Sequence, residues 1–191
     1  MKRAIKAIVI ILVVLVVLFA AGLVAYRYAY NAYLKLAYPL KYEEIVEKYA
    51  TEYEVSPSLI YAVINVESRF REDAVSKADA KGLMQLTDET YRWIQTKLPG
   101  EPLSIEFVFD PEVNIRCGTK LLAVLQTMFS EPETIVAAYN AGSGKVKTWL
   151  RDPAYSTDGK ALIHIPYEET ANYVNRVMKT QKQYQTLYGI E

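Results

Sequence analysis

The chain has a single cysteine and a single histidine. One Cys excludes an intramolecular disulfide, and one His leaves no set of Cys and His ligands from which a zinc centre could be built. A Ser-His-Asp triad would have to rest on His164 alone, in the segment Ile163-His164-Ile165, which reads as extended chain and not as a ligand site. Nothing local supports a Cys–His pair, because Cys117 falls on a helical stripe with Leu121, Val124, Leu125 and Met128, the pattern of core packing. No metal and no cofactor is therefore expected. Glycine is also sparse. The nearest approach to a phosphate loop, Gly142-Ser143-Gly144-Lys145, continues into Val146 where Ser or Thr is needed, and Tyr139 stands where the first Gly belongs. The same glycines lack the G-x-S-x-G spacing of a nucleophile elbow.

An excess of basic charge is missing as well. Lys and Arg number 22 against 22 Asp and Glu. Three of the bases, Lys2, Arg3 and Lys6, lie at the extreme N-terminus, so the remainder of the chain is mildly acidic and offers no basic face for nucleic acid. Long apolar runs are confined to one place. Ala7 to Ala25 is uncharged, and about 20 apolar residues suffice for a helix to cross the hydrocarbon core. The basic flank precedes it, so the N-terminus should remain cytoplasmic and the rest emerge on the other side. Tyr26, Tyr28, Tyr30 and Tyr33 follow, as an interfacial aromatic belt would. The apolar core of a cleaved signal peptide is shorter, about 7 to 15 residues, and no Cys follows for lipid attachment. The expected organisation is an uncleaved anchor over residues 1–25, a tyrosine-rich stalk over 26–41, helical or extended, and one domain over 42–191. That places the protein in the cytoplasmic membrane as a single-pass chain with its domain on the extracytoplasmic side.

The domain reads as all-α, with five to seven short helices and no βαβ alternation. Tyr42 to Tyr53 gives a short amphipathic helix. Ser56-Pro57 is a start signal, with Ser as N-cap and Pro at the first helical position. Thr87-Asp88 caps another helix, and Asp110-Pro111 opens what reads as the longest soluble helix, about Pro111 to Phe129. Ser130 to Glu133 has the form of a capping box for a helix from Glu131 to about Tyr139. Lys145 to Leu150 forms a further turn, Asp158-Gly159 suits a hairpin tip, and the last helix runs from about Tyr167 to Tyr184.

One helix carries an anomaly. In Ile60 to Phe70, Ile60, Val63 and Ile64 occupy one apolar face at i, i+3 and i+4, and Glu67 falls at i+7 of that series. A carboxylate on a face that its neighbours bury should have a raised pKa and persist as the acid near neutral pH, which is what a general acid requires. A structural ion pair with Arg69 or Arg71 is the competing reading of this stretch alone.

Four segments acquire weight together: Glu67-Ser68-Arg69-Phe70, Gly82-Leu83-Met84-Gln85, Ala138-Tyr139-Asn140-Ala141-Gly142, and Ile165-Pro166-Tyr167-Glu168-Glu169-Thr170 leading to Tyr173-Val174. In order and spacing they resemble the lytic transglycosylases with a soluble-lytic-transglycosylase-type catalytic domain, over roughly Tyr42 to Tyr184. The resemblance implies a lysozyme-like fold and cleavage of the MurNAc-GlcNAc β-1,4 bond of peptidoglycan with formation of 1,6-anhydro-MurNAc. It makes Glu67 the sole catalytic acid and base. Ser68 would orient the substrate N-acetyl group, Met84 and Gln85 would touch sugar from one wall, and Tyr139 and Asn140 would line the other. Tyr173 would complete the site. The partners implied are glycan strands and, through the N-terminal helix, a membrane. A goose-type lysozyme-like hydrolase would need a second acid, Asp79 or Asp88, and a non-catalytic wall-binding scaffold would need none.

Overall fold

The computed structural model describes residues 2–191; Met1, the first residue of the expected anchor, and the side chains of Ala4, Ile8 and Val9 lie outside the described residues. The chain divides into two compact units, Met1–Pro39 and Leu40–Glu191. In the first, α1 (Lys2–Ala37) runs for 36 residues without a break. At about 1.5 Å per residue this is roughly 54 Å, more than the ~30 Å hydrocarbon core of a bilayer. Val13, Leu15 and Phe19 are exposed on it. Among the described residues it is the one helix long and apolar enough to cross a membrane.

The second unit is built from α2 (Glu43–Tyr53), α3 (Pro57–Ser68), α4 (Asp88–Gln95), a 3-10 turn η1 (Ile105–Phe109), α5 (Pro111–Met128), α6 (Pro132–Ala141), α7 (Ser143–Leu150) and α8 (Glu168–Tyr188). Isolated bridges pair Lys81 with Val75 and Leu86, and no strand occurs among the described residues. Three of the starts are set by the caps that the sequence supplies. Ser56, Thr87 and Asp110 each accept a backbone N–H from three residues on, and Pro57 and Pro111 occupy positions whose N–H would have no helical partner.

The centre of the unit is α3, packed principally against α8. Every residue from Ser58 to Ile64 is buried. The helix is therefore enclosed on all sides up to its last turn, more than the single stripe of Ile60, Val63 and Ile64 required. Full burial of each of those side chains contributes about 1.5–3 kcal/mol. Tyr61 stacks on Tyr184 with ring centroids 5.2 Å apart, which joins α3 to the far end of α8. The helix ends at Arg69, and both Arg69 (φ 54°) and Phe70 (φ 61°) adopt the left-handed conformation, so the chain turns sharply just after Glu67 and Ser68.

The structure departs from the sequence pattern at three places. The longest helix of this unit is α8, with 21 residues against 18 in α5. The polar run Gln185-Thr186 interrupts the apolar period, but the helix continues to Tyr188 and stops at Gly189, whose left-handed φ of 69° closes it. Ser130 is not a helix cap. Pro132, at the first helical position, sets the start of α6 with Glu131 as N-cap, and no side chain caps it. The Asp158-Gly159 tip joins no strands; Asp158 Oδ1 instead accepts the backbone N–H groups of Lys160 and Ala161 and rounds off an irregular loop.

Candidate active site

Glu67 lies in the last turn of α3, where the buried helix meets a cleft of about 600 Å³. Gln85, Tyr139, Asn140, Lys145 and Glu169 line the same cleft. The Glu67 carboxyl reaches the cleft but is densely enclosed by protein, and burial pushes its pKa up to about 7. Two smaller influences oppose this shift: the Tyr173 hydroxyl, which donates a 2.7 Å hydrogen bond to Oε1, and the positive charge of Arg176 one turn further along α8. Neither Arg69 nor Arg71 pairs with Glu67. Arg69 is exposed at the end of α3, and Arg71 Nε donates to the Ser68 carbonyl at 3.2 Å.

Two tyrosines stand beside the carboxyl. Tyr139 and Tyr173 both have hydroxyls held well above their ordinary pKa, first by burial and then by the charge of Glu67. Both remain neutral donors over the working range. Tyr173 donates to Glu67 itself, while Tyr139 donates to the Met84 carbonyl at 2.8 Å and thereby ties α6 to the Gly82–Gln85 loop.

That loop is held from below by Asn114, a fully buried residue of α5. Its Oδ1 accepts Met84 N–H at 2.7 Å, and its Nδ2 donates to Val108 O at 2.7 Å and to Lys81 O at 3.2 Å. Gly82 has a left-handed φ of 77°, and a Cβ there would run into Asn114 Nδ2 and lie 2.7 Å from Val108 O. Gly118, one turn along α5 from Asn114, provides the space for Met84, since a Cβ on it would collide with the Met84 sulfur. The loop ends at Gln85 in the left-handed region (φ 50°), where its Nε2 donates to Gly82 O at 2.9 Å and to Ala74 O at 3.0 Å. Backbone strain of this sort at a cleft is sustained only by such a surround of fixed partners.

The residues singled out in the sequence thus divide into two sets. Glu67, Gln85, Tyr139 and Asn140 line one cleft, with Tyr173 bonded to the Glu67 carboxyl. Ser68 and Met84 do not line it. Ser68 is buried and its hydroxyl donates to Ile64 O at 3.2 Å, while the side chain of Met84 is fully buried in the core. Asn140 is oriented by Thr170, whose hydroxyl donates to Oδ1 at 2.8 Å and leaves the amide nitrogen as a donor at the cleft. The motif reading did not single out Asn114, Gly118 or Arg176, and gave Thr170 no separate role. The one signal for Asn114 was a polar residue on the inward face of an apolar helix.

Asp79 and Asp88, the two acids that the sequence reading offers for a second catalytic carboxylate, do not line the cleft and are engaged elsewhere: Lys81 Nζ lies 2.7 Å from Asp79 Oδ2 and 2.6 Å from Asp88 Oδ1. The carboxylates that line the cleft beside Glu67 are Glu89 and Glu169. Among the described residues, no group of three or more His, Cys, Asp or Glu side chains is placed to hold a metal ion. Cys117 is buried, with its thiol pKa pushed up to about 11 by burial.

Residues 44–162 match the family described as the transglycosylase SLT domain. The chain belongs to that family. It is 32% identical over 161 residues to the soluble lytic murein transglycosylase of Escherichia coli K12, covering 82% of this chain and 25% of the relative. It is 33% identical over 175 residues to the membrane-bound lytic murein transglycosylase C of Edwardsiella ictaluri, covering 77% of this chain and 47% of the relative. The chain thus spans between a quarter and a half of the length of these relatives. Among solved structures, the 70 kDa soluble lytic transglycosylase of E. coli aligns with a TM-score of 0.72 at 30% identity, over 82% of this chain and 26% of the other. An inactive Glu-to-Gln mutant of the lytic transglycosylase Slt from Pseudomonas aeruginosa aligns with the same TM-score at 29% identity, over 83% of this chain and 26% of that one. The fold of the second unit is therefore the lysozyme-like fold of the SLT domain.

Proposed function

We propose that this protein is a peptidoglycan lytic transglycosylase that cleaves the MurNAc-GlcNAc β-1,4 bond with Glu67 as its only acid and base. The observation that carries the reading is the state of that carboxyl: enclosed by protein, pushed to about 7 and hydrogen-bonded by a neutral tyrosine. Such a group gives up a proton and takes one back at the same pH.

A glycosidase with two carboxylates divides these tasks between them. With one, the substrate must contribute a nucleophile. Glu67 donates its proton to the glycosidic oxygen, and GlcNAc departs as an alcohol. The 2-acetamido oxygen of MurNAc bonds to C1 and forms an oxazolinium ion. The Glu67 carboxylate then removes the proton of the C6 hydroxyl, O6 attacks C1, and the bond from C1 to the acetamido oxygen breaks. Glu67 is protonated again, the product is a 1,6-anhydro sugar, and no water is consumed. In this scheme the Tyr173 hydrogen bond limits how far burial raises the Glu67 pKa. Gln85 and Asn140 contact sugar, while Tyr139, Met84 and Ser68 fix the walls and the end of α3. Activity of a Glu67→Gln chain on purified peptidoglycan should fall about 10³-fold; full activity would contradict the assignment.

Residues 1–25 act as an uncleaved single-pass anchor and 26–41 as a stalk, with the domain from 42 on the cell-wall side of the cytoplasmic membrane. The basic flank of the apolar run and the length of α1 support this arrangement. A reporter fused after Glu191 should be active only outside the cytoplasm, and cytoplasmic activity would overturn the topology.

A further inference from the structure

The cleft carries one positive charge, for which the proposed chemistry has no use. Its charged walls are acidic at Glu67, Glu89 and Glu169, and Lys145 is the one cation among the described residues that line it. Lys145 occupies the first turn of α7, which has no acidic residue, and a cation gains nothing from the positive end of a helix. It takes part in none of the ion pairs among the described residues, which join Lys48 to Glu112 and Lys81 to Asp79 and Asp88.

Its position is nevertheless defined. The Lys145 ammonium sits 5.3 Å from the centroid of the Tyr167 ring. The ring in turn is held edge-on by Trp149, with centroids 5.1 Å apart and planes at 73°. Trp149 is buried on the same helix as Lys145, and Tyr167 is half-exposed at the N-terminus of α8. A lysine over an aromatic face keeps its donors free, because the ring attracts the charge without accepting all three N–H bonds. This arrangement presents a pre-placed ammonium to whatever occupies the cleft.

The substrate of the proposed reaction is not neutral. Each MurNAc carries a lactyl group that ends either in a carboxylate or in a peptide bearing carboxylates of its own. We infer that Lys145, supported by Tyr167 and Trp149, recognises a carboxylate on the MurNAc side branch and makes the cleft prefer charged strands to neutral ones. This inference rests on the glycan reading of the cleft.

The test uses the full chain in detergent with Glu67→Gln, so that bound glycan is not turned over. Affinities are measured by calorimetry for chitotetraose, for a peptide-free MurNAc-GlcNAc tetrasaccharide with free lactyl carboxylates, and for the same tetrasaccharide with stem peptides. Adding Lys145→Met should lower the preference for charged over neutral glycan about fivefold, the size of a partly solvated ion pair. Lys145→Arg should retain most of it, and raising the salt concentration should reduce the preference of the parent. A change with the peptide-free sugar assigns the lactyl carboxylate, and a change with the peptide-bearing sugar alone assigns the stem peptide. An unchanged preference would overturn the inference. So would an equal loss on all three glycans, which would make Lys145 a packing residue for Tyr167. If the parent binds none of the three, the glycan reading itself fails, and the Lys145 assignment falls with it.

Discussion

Tyr173 donates a 2.7 Å hydrogen bond to the carboxyl of Glu67 across 106 positions of sequence, joining the end of α3 to the first turns of α8. The contact places a neutral donor on a carboxyl that burial would otherwise drive further toward the acid form. The balance of these two influences holds Glu67 near neutrality.

Tyr173→Phe removes the donor and keeps the ring. The ionised form of Glu67 loses its hydrogen bond, so its pKa should rise, and the pH–rate limb that reports Glu67 should move to higher pH. Peptidoglycan cleavage near pH 7 should fall about 10- to 100-fold, within the usual range for one positioned proton-transfer partner. An unchanged pH profile would detach Tyr173 from Glu67.

The position of Tyr173 was legible in the motif Ile165 to Val174, but the bond was not. Glu67 stood out because an acid interrupts an apolar helical period, a local pattern. Its partner is brought to it by the packing of α3 on α8, which no local pattern encodes. Asn114 was missed for the same reason. Its three hydrogen bonds go to Met84, Lys81 and Val108, so its role exists only in the folded chain. Ser56, Thr87 and Asp110 were read correctly because a cap acts within three residues, and Ser130 was misread because Pro132 outweighs a serine two positions earlier.

Glu67 also links stability to pH. Its folded pKa of about 7 lies above the value in an unfolded chain, so between roughly pH 4.3 and 7 the folded state binds the extra proton. Stability therefore falls as pH rises through that window and stays lower above it, by roughly 3 kcal/mol from this group. Glu67→Gln removes the term while leaving an oxygen that accepts from Tyr173. The variant should gain melting temperature relative to wild type at pH 8.5 and lose that advantage at pH 4.5. A difference that does not change with pH would contradict the raised pKa.

Asn114→Ala leaves Met84 N–H and the Val108 carbonyl without the partner that Asn114 supplies, and leaves the Lys81 carbonyl with the Leu86 N–H alone. Unsatisfied buried groups cost about 1–3 kcal/mol each, partly recovered by relaxation, so denaturant unfolding should show a loss of about 2–4 kcal/mol. Cleavage should fall as well, because the loop that presents Gln85 loses its support. Full stability would show that the loop does not depend on this residue.

Asp79→Asn and Asp88→Asn test the two acids that the sequence offers for hydrolysis. Both acids are bound to Lys81, so each variant should keep its peptidoglycan-cleaving rate within about threefold, the scale of a surface ion pair. A loss of about 100-fold or more in either would identify a second catalytic acid.

The most direct test of the central claim is the chemistry of the new chain end. Purified peptidoglycan digested by the full chain, with Glu67→Gln in parallel, is analysed by mass spectrometry of the released fragments. Fragments ending in 1,6-anhydro-MurNAc, absent from the variant digest, are the predicted result. Fragments with reducing ends, one water heavier, would contradict it and give a catalytic role to a second carboxylate, such as Glu89 or Glu169 in the cleft wall.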